Sequence, residues 1–199
     1  MQKKLKIVDP IQRDILVVID MQNDFITGSL GTKEAEAAVP NVINKIIEYK
    51  NNNGFIIATQ DTHQENYLET SEGKKLPVKH CIYHTDGWQL EKHVDEAIGD
   101  YPSIVIFKGA FGTNKLVEGI KRIAKHMKEM NIEIVGLCTD ICVIANALLL
   151  KTALPDANIK VDASCCAGVT PELHQAALNV MKSCQIEVYD STKTGNENN

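Results

Sequence analysis

A chain of 199 residues, 44% hydrophobic and 24% charged, has the composition of one soluble domain large enough to bury a core without covalent staples. Its formal net charge of −5, with no cluster of Lys or Arg to track a phosphate backbone, argues against nucleic acid as a partner. No apolar run approaches a membrane span, and residues 1–14 lack the apolar core of a secretory signal, so the reading is a cytoplasmic protein with no membrane partner. Its six cysteines, Cys81, Cys138, Cys142, Cys165, Cys166 and Cys184, are then reduced thiols rather than a disulfide framework.

Residues 1–13 read as a lead-in segment. Asp14 to Asp20 is a continuous apolar run bounded by acids, the pattern of a buried parallel strand. Met21 to Thr32 is a loop broken by Gly28 and Gly31. A helix is predicted to open at Val39-Pro40, with Val42, Ile43, Ile46 and Ile47 on one face, and to end at Asn51 to Gly54. Phe55 to Gln60 is the second strand, ending at Asp61. Residues 62–102 interrupt the pattern, with at most a short helix from Gln89 to Ile98. A segment so long is functional or disordered, and its Trp88, three tyrosines and four histidines argue against disorder.

Ser103 to Phe107 is the third strand, ending at Lys108-Gly109, and Asn114 to Met130 an amphipathic helix. Ile132 to Leu137 is the fourth strand, Asp140 to Leu154 a helix, and Ile159 to Ala163 the fifth strand. Thr170-Pro171-Glu172 reads as the start of a helix that runs to Ser183. Ile186 to Tyr189 is the last strand, and residues 191–199 are a polar tail. Strands alternating with helices predict a single three-layer α/β/α domain over residues 1–199, with a mostly parallel six-stranded sheet.

Ligands of such sheets bind beyond the carboxyl ends of the strands. Asp20, Asp61 and Lys108 close strands one to three, and Cys142 follows strand four at a helix start. A helix N-terminus lowers a thiol pKa, so Cys142 is a candidate nucleophile. Asp20 is the candidate base, Lys108 the cation that holds the ionised pair, and the backbone N–H groups of Cys138 and Cys142 the candidate oxyanion donors. Taken singly, each residue has a plainer role as a buried thiol, a turn cap or an exposed cation.

Asp61 and His63 stand at i and i+2 on one side of an extended segment, with Glu72 and His80 in the loop beyond. Two imidazoles and one or two carboxylates suit one divalent zinc, iron or manganese ion. Surface histidines in a polar loop are the alternative. Phe25 and Phe111 follow strand-end candidates and are placed either on the wall of an aromatic pocket or in the core. His84, His93, His126 and His174 carry no assigned role.

Val17-Val18-Ile19-Asp20-Met21-Gln22-Asn23-Asp24-Phe25, Asp61-Thr62-His63, Phe107-Lys108-Gly109-Ala110-Phe111 and Cys138-Thr139-Asp140-Ile141-Cys142-Val143 resemble, in order, motifs of the isochorismatase-like cysteine hydrolases. Within that superfamily the chain is most similar to the nicotinamidase (pyrazinamidase/nicotinamidase) branch. The resemblance implies a Cys142 nucleophile, Asp20 as base and acid, and Lys108 as third member. It implies a cis peptide at Cys138–Thr139 that aims the two oxyanion N–H groups. It implies metal ligands Asp61, His63 and His80, with Glu72 in the place of a more usual histidine, and zinc as the metal. It further implies nicotinamide as small-molecule substrate, nicotinate and ammonia as products, and a place in NAD salvage. Three other readings stay open: a relative cleaving a different amide or a vinyl ether, a metal- or thiol-binding protein without hydrolysis, and a hydrolase using metal-activated water. Apolar helix faces leave room for a homo-oligomer.

Overall fold

Every residue of Ile15–Ile19 (β1) is fully buried. A strand buried on both faces is the centre of a covered sheet. In the computed structural model, which describes residues 14–193 apart from Lys128, β1 is flanked by Phe55–Asp61 (β2) and Asn131–Leu137 (β4). Ser103–Lys108 (β3), Asn158–Ala167 (β5) and Glu187–Tyr189 (β6) complete a six-stranded sheet ordered β3-β2-β1-β4-β5-β6. All five pairings are parallel, so the sheet is wholly rather than mostly parallel. The lead-in segment 1–13 and the tail beyond residue 193 lie outside the described residues.

Strand alternation sorts the side chains into two layers. Ile15, Val17 and Ile19 face a core shared with Asn114–Ile123 (α4), Ile144–Ala153 (α5) and Pro171–Ser183 (α6). Leu16 and Val18 face the other core, shared with Asn23–Ile26 (α1), Lys33–Asn51 (α2) and Lys92–Ile98 (α3). Burying each such side chain contributes about 1.5–3 kcal/mol. Among the described residues, no helix is long and apolar enough to cross a membrane.

The loop expected over Met21 to Thr32 carries the short helix α1, and four expected boundaries move by four residues or more. Helix α2 starts at Lys33, not at Val39-Pro40, because the Thr32 hydroxyl accepts the Ala35 N–H and caps it there; Pro40 lies inside. Helix α4 ends at Ile123 and a 3₁₀ turn, Ala124–His126, follows, although no Gly or Pro stands there as a stop signal. The helix expected from Asp140 is a wide π turn, Thr139–Val143, before α5 begins. Strand β5 runs to Ala167 rather than Ala163, because an irregularity opposite Ile134/Gly136 lets it rejoin β4 at Cys166 and Ala167. Helix α6 begins and ends as expected, with the Thr170 hydroxyl accepting the Leu173 N–H.

Candidate active site

The order of strand addition reverses between β1 and β4, since the chain passes from β1 outward through β2 to β3 and returns to β4 on the other side. A crevice opens at such a point beyond the strand ends. Asp20 follows β1 there, with φ of 47° turning the chain out of the strand. Lys108 closes β3, and Cys142 sits in the π turn after β4. The Lys108 Nζ lies 2.7 Å from Asp20 Oδ2, 3.4 Å from Cys142 Sγ and 3.3 Å from Asp61 Oδ1. All four residues are buried. The sheet thus brings together the three side chains on which the sequence reading depends.

Electrostatics set the resting protonation. Burial would lower the Lys108 pKa, but the negative groups around it, Asp20 first, raise it instead. The ammonium therefore persists. Burial, then the charge of Asp20, push the Cys142 thiol well above its ordinary value, and Lys108 offsets this only in part. This reverses the expected helix-start effect. Cys142 lies in the π turn ahead of α5, and desolvation of a thiolate outweighs backbone dipoles there. Asp20 is also raised, by burial first, against the opposing pull of Lys108. It is a stronger base than an exposed carboxylate.

Asp61, His63, Glu72 and His80 meet as expected. One ligand atom from each lies within 4.8 Å of every other. The Nε2 of His63 is 3.1 Å from Asp61 Oδ2, and that of His80 is 3.7 Å from it. Glu72 Oε1 stands 3.8 Å and 3.9 Å from the same two nitrogens. His80 Nδ1 lies 2.9 Å from the Val78 carbonyl, which fixes Nδ1 as the donor and leaves Nε2 with a lone pair for a metal. The His63 and His80 rings also pack against Tyr67, at 4.7 Å and 4.9 Å. Two oriented imidazoles with two carboxylates fit a divalent cation of the zinc, iron or manganese type.

Between thiol and donor cluster lies a cavity of about 210 Å³, walled by Phe25, Phe111, Leu30, Leu76, Ile141 and Val169, with Cys142, Cys138, Asp61 and His80 also on its lining. Phe25 is buried and packs 5.6 Å from the His80 ring, so the wall and the core share it; Phe111 is half exposed at the rim. Cys138 heads the π turn, and its pKa is pushed up to about 12, chiefly by burial. The cis peptide is Leu137–Cys138, one bond earlier than the resemblance implies, so the amide bearing the Cys138 N–H is the cis one.

Sequence reasoning missed several participants. Thr59 donates to Asp20 Oδ1, and Gln22 grips Asp61 through both backbone groups, accepting its N–H at 2.6 Å and donating to its carbonyl at 2.9 Å. Gln22 stands inside the Val17-to-Phe25 motif, but nothing in the sequence marks a glutamine there as buried. Val169 lies just past the observed end of β5 at Ala167, well beyond the expected end at Ala163. His174, given no role, lies 2.8 Å by Nδ1 from the Thr139 hydroxyl behind the turn.

Fold and site together define an α/β/α protein whose buried thiol, carboxylates and ammonium gather at the switch point of a parallel sheet. Residues 14–193 match the isochorismatase domain, and the chain belongs to that family. It is 25% identical to the nicotinamidase of Schizosaccharomyces pombe, over 87% of this chain and 91% of that one. It is 24% identical to the nicotinamidase/pyrazinamidase of Mycobacterium tuberculosis, over 89% of this chain and 98% of that one. Among solved structures, the pyrazinamidase of Pyrococcus horikoshii in complex with zinc superposes with a TM-score of 0.73 at 27% identity, covering 90% of this chain and 99% of that one. Family and relatives make the protein a hydrolase acting on amides.

Proposed function

We propose that this amide hydrolase converts nicotinamide to nicotinate and ammonia through a Cys142 thioester, as a step of NAD salvage. The observation that carries the reading is the Lys108 ammonium, within 3.4 Å of the Cys142 sulfur and 2.7 Å of the Asp20 carboxylate, with Cys142 itself on the lining of a cavity sized for a small ring. The nicotinamidase relatives favour nicotinamide over other amides.

The chemistry follows from the pKa directions. Resting Cys142 is a thiol, so it needs a base at the moment of attack. Asp20, made more basic by burial, takes that proton as sulfur bonds to the carboxamide carbon. Lys108 offsets the negative charge held among sulfur, carboxylate and substrate. The Cys138 and Cys142 N–H groups receive the oxyanion. As the tetrahedral adduct collapses, the C–N bond breaks and Asp20 gives its proton to the leaving nitrogen, which departs as ammonia. Water then adds to the thioester carbonyl and loses a proton to Asp20. The C–S bond breaks, and Cys142 recovers its proton as nicotinate leaves.

Asp61, His63, Glu72 and His80 would hold one divalent ion, zinc by preference. That ion would supply a Lewis-acidic anchor for a pyridine ring. Phe25 and Phe111 wall the ring on its apolar sides. Ammonia release from nicotinamide by the purified protein tests the reading. Cys142→Ala and Asp20→Ala are expected to lose it by a factor on the order of 1,000 or more. Undiminished release by Cys142→Ala refutes the thioester. Turnover of another amide in place of nicotinamide reassigns the substrate.

A further inference from the structure

The Asp20 carboxyl has two oxygens in unlike surroundings. Oδ2 faces Lys108 Nζ at 2.7 Å. Oδ1 accepts a hydrogen bond of 2.7 Å from the hydroxyl of Thr59, a residue of β2 paired with Ile19 of β1. Thr59 and Asp20 are both fully buried. Thr59 Oγ1 also receives the backbone N–H of Asp20, at 3.2 Å. A hydroxyl has one hydrogen to give and two lone pairs to accept with. With one lone pair engaged by the Asp20 amide, the hydrogen is directed at Oδ1.

We propose that Thr59 is a positioning residue: by donating to Oδ1 it fixes the rotation of the Asp20 carboxyl and keeps Oδ2 turned to Lys108. The inference rests on the reading of Asp20 as the group that takes the Cys142 proton. Its consequence is directional. The carboxyl can rotate about its Cβ–Cγ bond only by breaking the Thr59 bond. While that bond holds, Oδ2 stays turned to Lys108. It concerns the proton-transfer steps and not the grip on the ring, because Thr59 is not on the cavity wall. The same hydroxyl ties the end of β1 to β2, so a purely structural role must be separated from a positioning one.

Conservative substitutions separate them. Thr59→Val keeps the shape and removes the hydroxyl; Thr59→Ala does the same with less bulk and serves if the valine variant does not fold. Thr59→Ser keeps the hydroxyl. Two measurements are made on each folded variant: steady-state hydrolysis of nicotinamide, and alkylation of Cys142 by iodoacetamide followed by peptide mass mapping. The hydroxyl-free variants are expected to lose kcat about tenfold or more with KM within about twofold, and Thr59→Ser to stay within about threefold of wild type. Cys142 alkylation should slow in the same order. Unchanged kcat in Thr59→Val, or a loss in Thr59→Ser as large as in Thr59→Val, overturns the assignment. If wild type leaves nicotinamide untouched, the substrate proposal fails on its own and alkylation decides: equal Cys142 rates with and without the hydroxyl overturn the role of Thr59.

Discussion

A buried charge persists only where others answer it, and two lysines show how. Lys108 is answered by Asp20 and Asp61 in the candidate active site. Lys45, on α2, is answered by Glu133 at 3.2 Å and Asp162 at 3.4 Å. Glu133 also accepts from Tyr49 at 2.7 Å and from Tyr189, and pairs with Lys160 at 2.9 Å. Burial alone would raise the Glu133 pKa, but the hydrogen bonds from Tyr189, Lys160 and Tyr49 outweigh it and hold the carboxyl below its ordinary 4.5. A depressed folded pKa stabilises the native state above the unfolded value, and that contribution is lost as pH falls through the folded one. Glu133→Gln leaves Lys45 and Lys160 short of a counter-charge and should cost about 3 kcal/mol at pH 7. Urea denaturation should show that cost shrinking steadily below about pH 4.5. A cost independent of pH would mean that packing of the side chain, not its charge, was lost. Residue types made the site legible, but not the sign of every shift. The Cys142 pKa was misjudged because a sequence displays a helix start and conceals how much low-dielectric core surrounds it.

Elements explain how the thiol reaches the carboxylate. Strand β4 must approach β1 closely enough for the π turn after it to stand beside Asp20. Gly136 makes this possible. It pairs with Ile19, its φ is +118°, and a Cβ there would overlap the Ile19 carbonyl oxygen. Gly136→Ala should therefore destabilise the fold by about 3 kcal/mol and lower activity out of proportion to the folded fraction, since it moves the Cys142 turn away from the carboxylate. Thermal unfolding and kcat on the same preparation check both parts; an alanine variant with wild-type Tm and kcat refutes the argument. The strands were legible because continuous β-branched runs have few other uses. Helix α6 was legible to its ends because Thr170-Pro171 is a local signal. What was lost depended on partners far along the chain: the length of β5 on an irregularity opposite Gly136, and the π turn on the packing of Cys138 to Val143 against β4 and α6.

At the scale of the whole molecule, the sheet order assembles a site from residues that span most of the chain. Asp20, Asp61, Lys108 and Cys142 come from four strand ends, and their convergence was readable because parallel sheets bind at those ends. Apart from the short helix expected over Gln89 to Ile98 and found as α3 at Lys92–Ile98, the segment 62–102 was not readable as structure, since little of it is periodic. His63, Glu72 and His80 lie in it and meet Asp61 at the end of β2. A metal held by this set would bridge the segment to the sheet, whereas an unfolded chain would hold the four donors apart. Binding to the native state alone stabilises by about 2.7 kcal/mol when free metal is one hundred times its Kd. For a chain of this size that corresponds to a rise in Tm of about 5–10 °C. Zinc-loaded protein is expected to melt higher than chelator-treated protein by that amount, with the gap closing in His80→Ala. The Asp20→Ala variant, whose changed residue lies outside the donor set, should keep the gap even with hydrolysis lost. Equal melting temperatures with zinc and with chelator, in protein whose bound metal has been quantified, would remove the metal from the site.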